Sequence, residues 1–114
     1  CNSSPARLPA AITVGATTST DARASYSNYG GCLDVFAPGS NVVSASYQND
    51  TGTSTLSGTS MASPLVAGIV ARYLATSAAS AAQAEAALVA ASTPNVVTSA
   101  GAGSPNRLVY AAPN

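Results

Sequence analysis

A serine at the threshold of a helix is a place where acyl chemistry can be built. The run Leu56-Ser57-Gly58-Thr59-Ser60-Met61-Ala62-Ser63-Pro64 puts one there. Residues before it read as a strand-side loop, and from Ser60 onward Met61, Leu65, Ala67, Gly68, Ile69, Ala71, Arg72 and Leu74 follow helical spacing to about Thr76. The first amides of a helix have no acceptor within it. The backbone N–H of Ser60 would therefore face negative charge forming on a carbonyl attacked by its own hydroxyl. One residue would be both nucleophile and electrostatic support. Gly58 lets a substrate backbone come close, Thr59 offers a hydroxyl beside the same charge, and the flexible thioether of Met61 fills space behind the serine. The plain alternative is that Ser60 only caps its helix. The chain has no histidine, so it contains no positioned base of the usual kind to take the Ser60 proton.

The elements that must position this segment follow from patterning. Ala10 to Ala16 is apolar and β-branched and reads as a short strand buried on both faces, as does Leu33 to Ala37 before the turn signal Pro38-Gly39. Between them, Thr17 to Gly31 is rich in Ser, Thr, Asn and Gly and reads as a surface connection. Asn41 to Ser46 alternates, and Asn49-Asp50-Thr51-Gly52 turns it into a partner strand, Thr53 to Ser57. The helix from Ser60 is nearly apolar, which predicts burial, with Pro64 near its first turn. Ser80 and Gln83 form a capping-box pattern for a second, alanine-rich helix over Ala81 to Ala91. Arg107 to Tyr110 reads as a short edge strand. Strands followed by helices give an α/β fold class with a mostly parallel sheet. Three or four strands and one buried helix cannot cover both sheet faces, so these 114 residues read as part of a larger domain whose missing partner lies before Cys1.

Composition narrows the partners. Four arginines, no lysine and four acids give a formal charge of zero, with 7% charged residues, so there is no basic field for nucleic acid or an anionic membrane surface. No run of about 18 apolar residues offers a membrane span. The chain opens on Cys1 rather than Met and reads as a mature or truncated product. A surface made polar by Ser, Thr and Asn suits a secreted protein. Cys1 and Cys32 are the only internal pair; closing their loop of about 31 residues would remove roughly 3 to 4 kcal/mol of unfolded-state entropy. Two buried free thiols are the other reading.

Gly58-Thr59-Ser60-Met61-Ala62-Ser63-Pro64 followed by Val66-Ala67-Gly68 resembles the catalytic-serine signature of subtilisin-like serine endopeptidases. The runs Ile12-Thr13-Val14-Gly15-Ala16, Tyr26-Ser27-Asn28-Tyr29-Gly30 and Asp34-Val35-Phe36-Ala37-Pro38-Gly39 resemble the same family in the same order, closest to its secreted proteinase K and aqualysin-like branch. An α/β-hydrolase elbow fits worse, because Ala62 stands where Gly-x-Ser-x-Gly needs its last glycine. The resemblance implies part of a subtilisin-like three-layer fold, with residues 1–114 as the C-terminal portion of one catalytic domain. It implies Ser60 as the nucleophile, a protein or peptide substrate, and an aspartate, histidine and oxyanion asparagine supplied by the upstream half of the domain. Asp21, Asp34 and Asp50 do not match the triad aspartate. Leu65 departs from the family, which usually has histidine after the proline; that position packs or hydrogen-bonds beneath the nucleophile rather than serving as the base.

A lone carboxylate cannot hold calcium, although backbone carbonyls can complete a shell around one, and Asp34 is the candidate. The resemblance implies a structural calcium on Asp34 with the carbonyls of Pro9 and Ala11, and a disulfide between Cys1 and Cys32. The expected function is a secreted serine endopeptidase acting through an acyl-enzyme on Ser60, with this chain alone inactive. The alternative is a non-catalytic binding module or an inactive pseudo-protease fragment.

Overall fold

The computed structural model describes residues 1–112. Eight elements follow one another: β1 (Val14–Thr17), β2 (Val35–Pro38), β3 (Val42–Ala45), β4 (Thr53–Leu56), α1 (Thr59–Thr76), α2 (Ala81–Ala91), β5 (Thr93–Pro94) and β6 (Arg107–Leu108). The main sheet has the order β1-β2-β6-β5. Strand β1 runs parallel to β2, with Val14 opposite Val35 and Thr17 opposite Pro38, and Phe36 of β2 pairs in parallel with Leu108 of β6. Only the β5–β6 pairing is antiparallel. Strands β3 and β4 form a separate antiparallel hairpin. The result is α/β with a mostly parallel main sheet, as the pattern predicts.

Strand alternation divides the core. Val35 and Ala37 of β2 join Ala16, Ala24, Ala62, Val66 and Leu88 on the helix side, while Phe36 between them points the other way, to Leu33 and Val97. Helices α1 and α2 therefore cover one face of the sheet, and the irregular segment around Val97 and Ala100 covers the other. Asn106 fastens that segment by accepting the Val97 N–H at 2.9 Å and donating to the Val97 carbonyl at 2.8 Å.

Four expectations need correction. The first strand starts at Val14, not Ala10, because Leu8 and Ala11 close turns onto Pro5 and Leu8 through hydrogen bonds of 2.9 and 3.0 Å. The last strand is not an edge: β6 lies between β2 and β5, since β5 folds back onto it. Thr17 to Gly31 is no simple surface connection, because Ala24 and Ser27 are buried and the Ser27 hydroxyl accepts the Ala16 N–H at 2.9 Å. Finally, α1 is not buried along its length. Only Ala62 and Val66 are, whereas Leu65, Tyr73 and Leu74 are 37%, 37% and 43% exposed. One stripe of the helix meets the sheet, its C-terminal half also lies against α2, with Arg72 donating to the Ala112 carbonyl at 3.2 Å, and the remaining face, with Leu65 and Leu74, is exposed.

Candidate active site

Position 60 is the second residue of α1, and its side chain is exposed. The helix mouth is chemically open. Its N-cap, Gly58, has no side chain to bond the first amides, and no acidic residue lies in the first turn to offset the positive end of the helix dipole. Among the described residues no hydrogen bond occupies the Thr59 or Ser60 amide, or the Ser60 hydroxyl. Pro64 is the sixth helical residue, one position deeper than a helix start at Ser60 would make it. Its ring nitrogen carries no hydrogen, so the Ser60 carbonyl also lacks the donor that regular helix geometry would bring to it.

The turn into α1 is held from the sheet. Gly39, just past the end of β2, donates to the Thr17 carbonyl at 3.0 Å, and its own carbonyl accepts the Gly58 N–H at 2.8 Å. A Cβ on Gly39 would stand 2.7 Å from the Ala16 Cβ and 2.8 Å from the Gly58 carbonyl oxygen, so only glycine lets the two segments come this close. The Ser57 hydroxyl accepts the Asn41 N–H at 2.8 Å, a second tie to the same turn. Ser60 thereby stands at the carboxyl ends of parallel strands β1 and β2, where open α/β sheets place their ligand sites.

The sequence-predicted residues of this site come together. Gly58, Thr59, Ser60 and Met61 form one continuous turn, and the Met61 sulfur is the side-chain atom that a Cβ on Gly58 would meet first, at 3.6 Å. Thr59 also lines a cleft of about 270 Å³ with Thr13, Val14, Asn28, Tyr29 and the disulfide. The Cys1–Cys32 bridge is formed, with Cα atoms 5.3 Å apart. Leu65 is an apolar residue of α1, 37% exposed. Gly39, Ser57 and Tyr26 were not read from the sequence as site residues. The Pro38-Gly39 turn signal was visible, but which segment the glycine must admit was not.

Asp34 lies away from Ser60, at the start of β2. Its Oδ2 accepts the Thr13 N–H at 2.7 Å while its own N–H donates to the Thr13 carbonyl at 2.9 Å. The described residues include no cluster of three His, Cys, Asp or Glu side chains, so a metal here would depend on carbonyl oxygens. Such hard oxygen donors, with Oδ1 of Asp34 left without a hydrogen bond among the described residues, suit calcium rather than a softer ion.

Comparison with known proteins places this geometry in context. A family model described as the subtilase family matches residues 2–110. An extracellular serine proteinase of Thermus sp. (strain Rt41A) is 59% identical over 111 residues, covering 96% of this chain and 27% of the relative. Alkaline serine exoprotease A of Vibrio alginolyticus is 54% identical, covering 96% and 20%. Among solved structures, a cold-adapted subtilisin-like serine proteinase superposes with a TM-score of 0.92 at 46% identity, covering 100% of this chain and 41% of that one. The chain thus spans well under half the length of each.

Proposed function

The chain belongs to the subtilase family, and from that premise we propose that it is the nucleophile-bearing part of a secreted serine endopeptidase. The carrying observation is the open mouth of α1, where an exposed hydroxyl at position 60 shares its residue with an amide that no group among the described residues occupies. In the proposed reaction the Ser60 Oγ attacks a peptide carbonyl while its proton passes to an imidazole from outside these 114 residues. The carbonyl oxygen gains charge within reach of the Ser60 N–H. The C–N bond then breaks, the departing amine takes the proton, and water releases the acyl group from Ser60. Gly58 leaves room for the substrate backbone and Met61 packs behind the serine.

The upstream half of the domain would supply the histidine, aspartate and oxyanion asparagine, and would cover the exposed apolar stripe of α1. Secretion is supported by the disulfide and by the extracellular name of the Thermus relative. A structural calcium held by Asp34 and the Pro9 and Ala11 carbonyls would fix the segment before β1 and supply no chemistry. A pseudo-protease would share this fold, and labelling separates the two. Expressed as the full-length protein, the enzyme should bind a fluorophosphonate covalently at Ser60, and Ser60→Ala should abolish both labelling and peptide hydrolysis. Undiminished labelling of that variant refutes the assignment.

A further inference from the structure

The Gly39 carbonyl, which receives the Gly58 N–H at 2.8 Å, has a second donor. The Tyr26 hydroxyl reaches the same oxygen at 2.8 Å and lies 2.7 Å from the Ser40 hydroxyl. A phenol has one proton. With that proton given to Gly39, Ser40 must donate to Tyr26, so one chain runs from the Ser40 hydroxyl through the Tyr26 hydroxyl to the Gly39 carbonyl, which the Gly58 N–H meets from the other side. Both acceptor sites of one carbonyl are then filled, and the group beyond Gly58 and Thr59 is Ser60. We infer that Tyr26 is a positioning residue for Ser60, acting through the Gly39 carbonyl; this rests on Ser60 being the nucleophile.

Three features make the tyrosine a fixed reference rather than a passive contact. Its backbone is anchored to β1 on both sides, because Ala24 donates to the Ala16 carbonyl at 2.9 Å and the Ser27 hydroxyl accepts the Ala16 N–H at 2.9 Å. The Gly39 peptide it holds belongs to a glycine, which has the widest backbone freedom to turn its carbonyl away. The α1 mouth has no side-chain cap of its own to hold the turn if Gly39 swings. The hydroxyl of a residue 47% exposed contributes little to burial, so its removal should alter placement more than stability.

The test uses full-length protein, a chromogenic peptide anilide and a fluorophosphonate probe. Tyr26→Phe should lower kcat and the labelling rate together, by about 3- to 10-fold, with KM within about twofold and the melting temperature nearly unchanged. Ser40→Ala should lower both rates less. The double variant should match Tyr26→Phe alone, because Ser40 acts through the tyrosine hydroxyl. Unchanged kcat in Tyr26→Phe, a loss confined to KM, or losses that multiply in the double variant would overturn the inference. Were Tyr26→Phe not to fold, Ser40→Ala decides alone, supporting the inference with reduced kcat at constant KM and overturning it with unchanged kcat. Ser60→Ala separates the two levels. Persistent labelling there removes the nucleophile and this inference with it, whereas abolished labelling beside an unaffected Tyr26→Phe removes only the inference.

Discussion

Gly39→Ala is the sharpest probe of how the sheet places the serine. The added Cβ would lie 2.7 Å from the Ala16 Cβ and 2.8 Å from the Gly58 carbonyl oxygen. Ordinary carbon–carbon contact begins near 3.5 Å, so about 0.8 Å of overlap must be relieved. Neither neighbour is the far end of a flexible side chain. Ala16 is fully buried in β1, which leaves the Gly58 turn as the part free to yield. The turn is two residues from Ser60, so a shift approaching 1 Å reaches the nucleophile nearly whole. Misplacement of that size costs about 100-fold in rate, and the overpacking itself about 1 to 3 kcal/mol of stability. Steady-state kinetics on full-length enzyme, normalised to active sites by fluorophosphonate titration, should show the loss in kcat. A folded variant with kcat within about threefold of wild type would refute the claim that this contact sets the position of Ser60.

Three further outcomes follow from other parts of the fold. The Thr17 hydroxyl is buried with no hydrogen-bond partner among the described residues, so Thr17→Val, which keeps the shape and removes the polar atom, should raise stability by about 1 kcal/mol in a denaturant melt. Replacing both Cys1 and Cys32 by serine should cost about 3 to 4 kcal/mol in the same assay, as expected for a bridge spanning 31 residues. If calcium binds as proposed, adding it at 100 times its Kd to chelator-treated protein should stabilise by about 2.7 kcal/mol. Asp34→Asn should remove that response, and a response that survives would place any calcium elsewhere.

Local physics was legible in the sequence where one segment settles its own state. Ser80 and Gln83 predict a reciprocal cap, and the structure forms it, with Gln83 N–H to Ser80 Oγ at 3.2 Å and Ser80 N–H to Gln83 Oε1 at 2.8 Å. The hairpin β3–β4 follows likewise from its turn residues. What stayed hidden depends on partners distant in the chain. Nothing in Arg107-Leu108 says that it enters between β2 and β5. Ser27 reads as a surface residue because the Ala16 amide that its buried hydroxyl accepts lies 11 residues away in the chain. The apolar stripe of α1 predicts burial, yet periodicity cannot say against what. The serine motif was legible as chemistry, but its support by Gly39 and Tyr26 was not, since both lie in stretches that read as ordinary turn and loop.

The two helix starts show why position 60, rather than any other serine, carries the argument. Helix α2 begins with a reciprocal side-chain cap: the Ser80 hydroxyl accepts the Gln83 N–H, and the Gln83 side chain accepts the Ser80 N–H. Helix α1 begins with a glycine that offers no side-chain cap, with no acid in its first turn, and with Pro64 in place of the donor to the Ser60 carbonyl. A helix start without a side-chain cap is held from outside, and Gly39 and Ser57 do so through bonds that leave the Ser60 amide without a partner among the described residues. In the proposed reaction a side-chain cap on α1 would compete with the oxyanion for the amides at the helix mouth, and the sheet-side contacts of Gly39 and Ser57 hold the turn without such a cap.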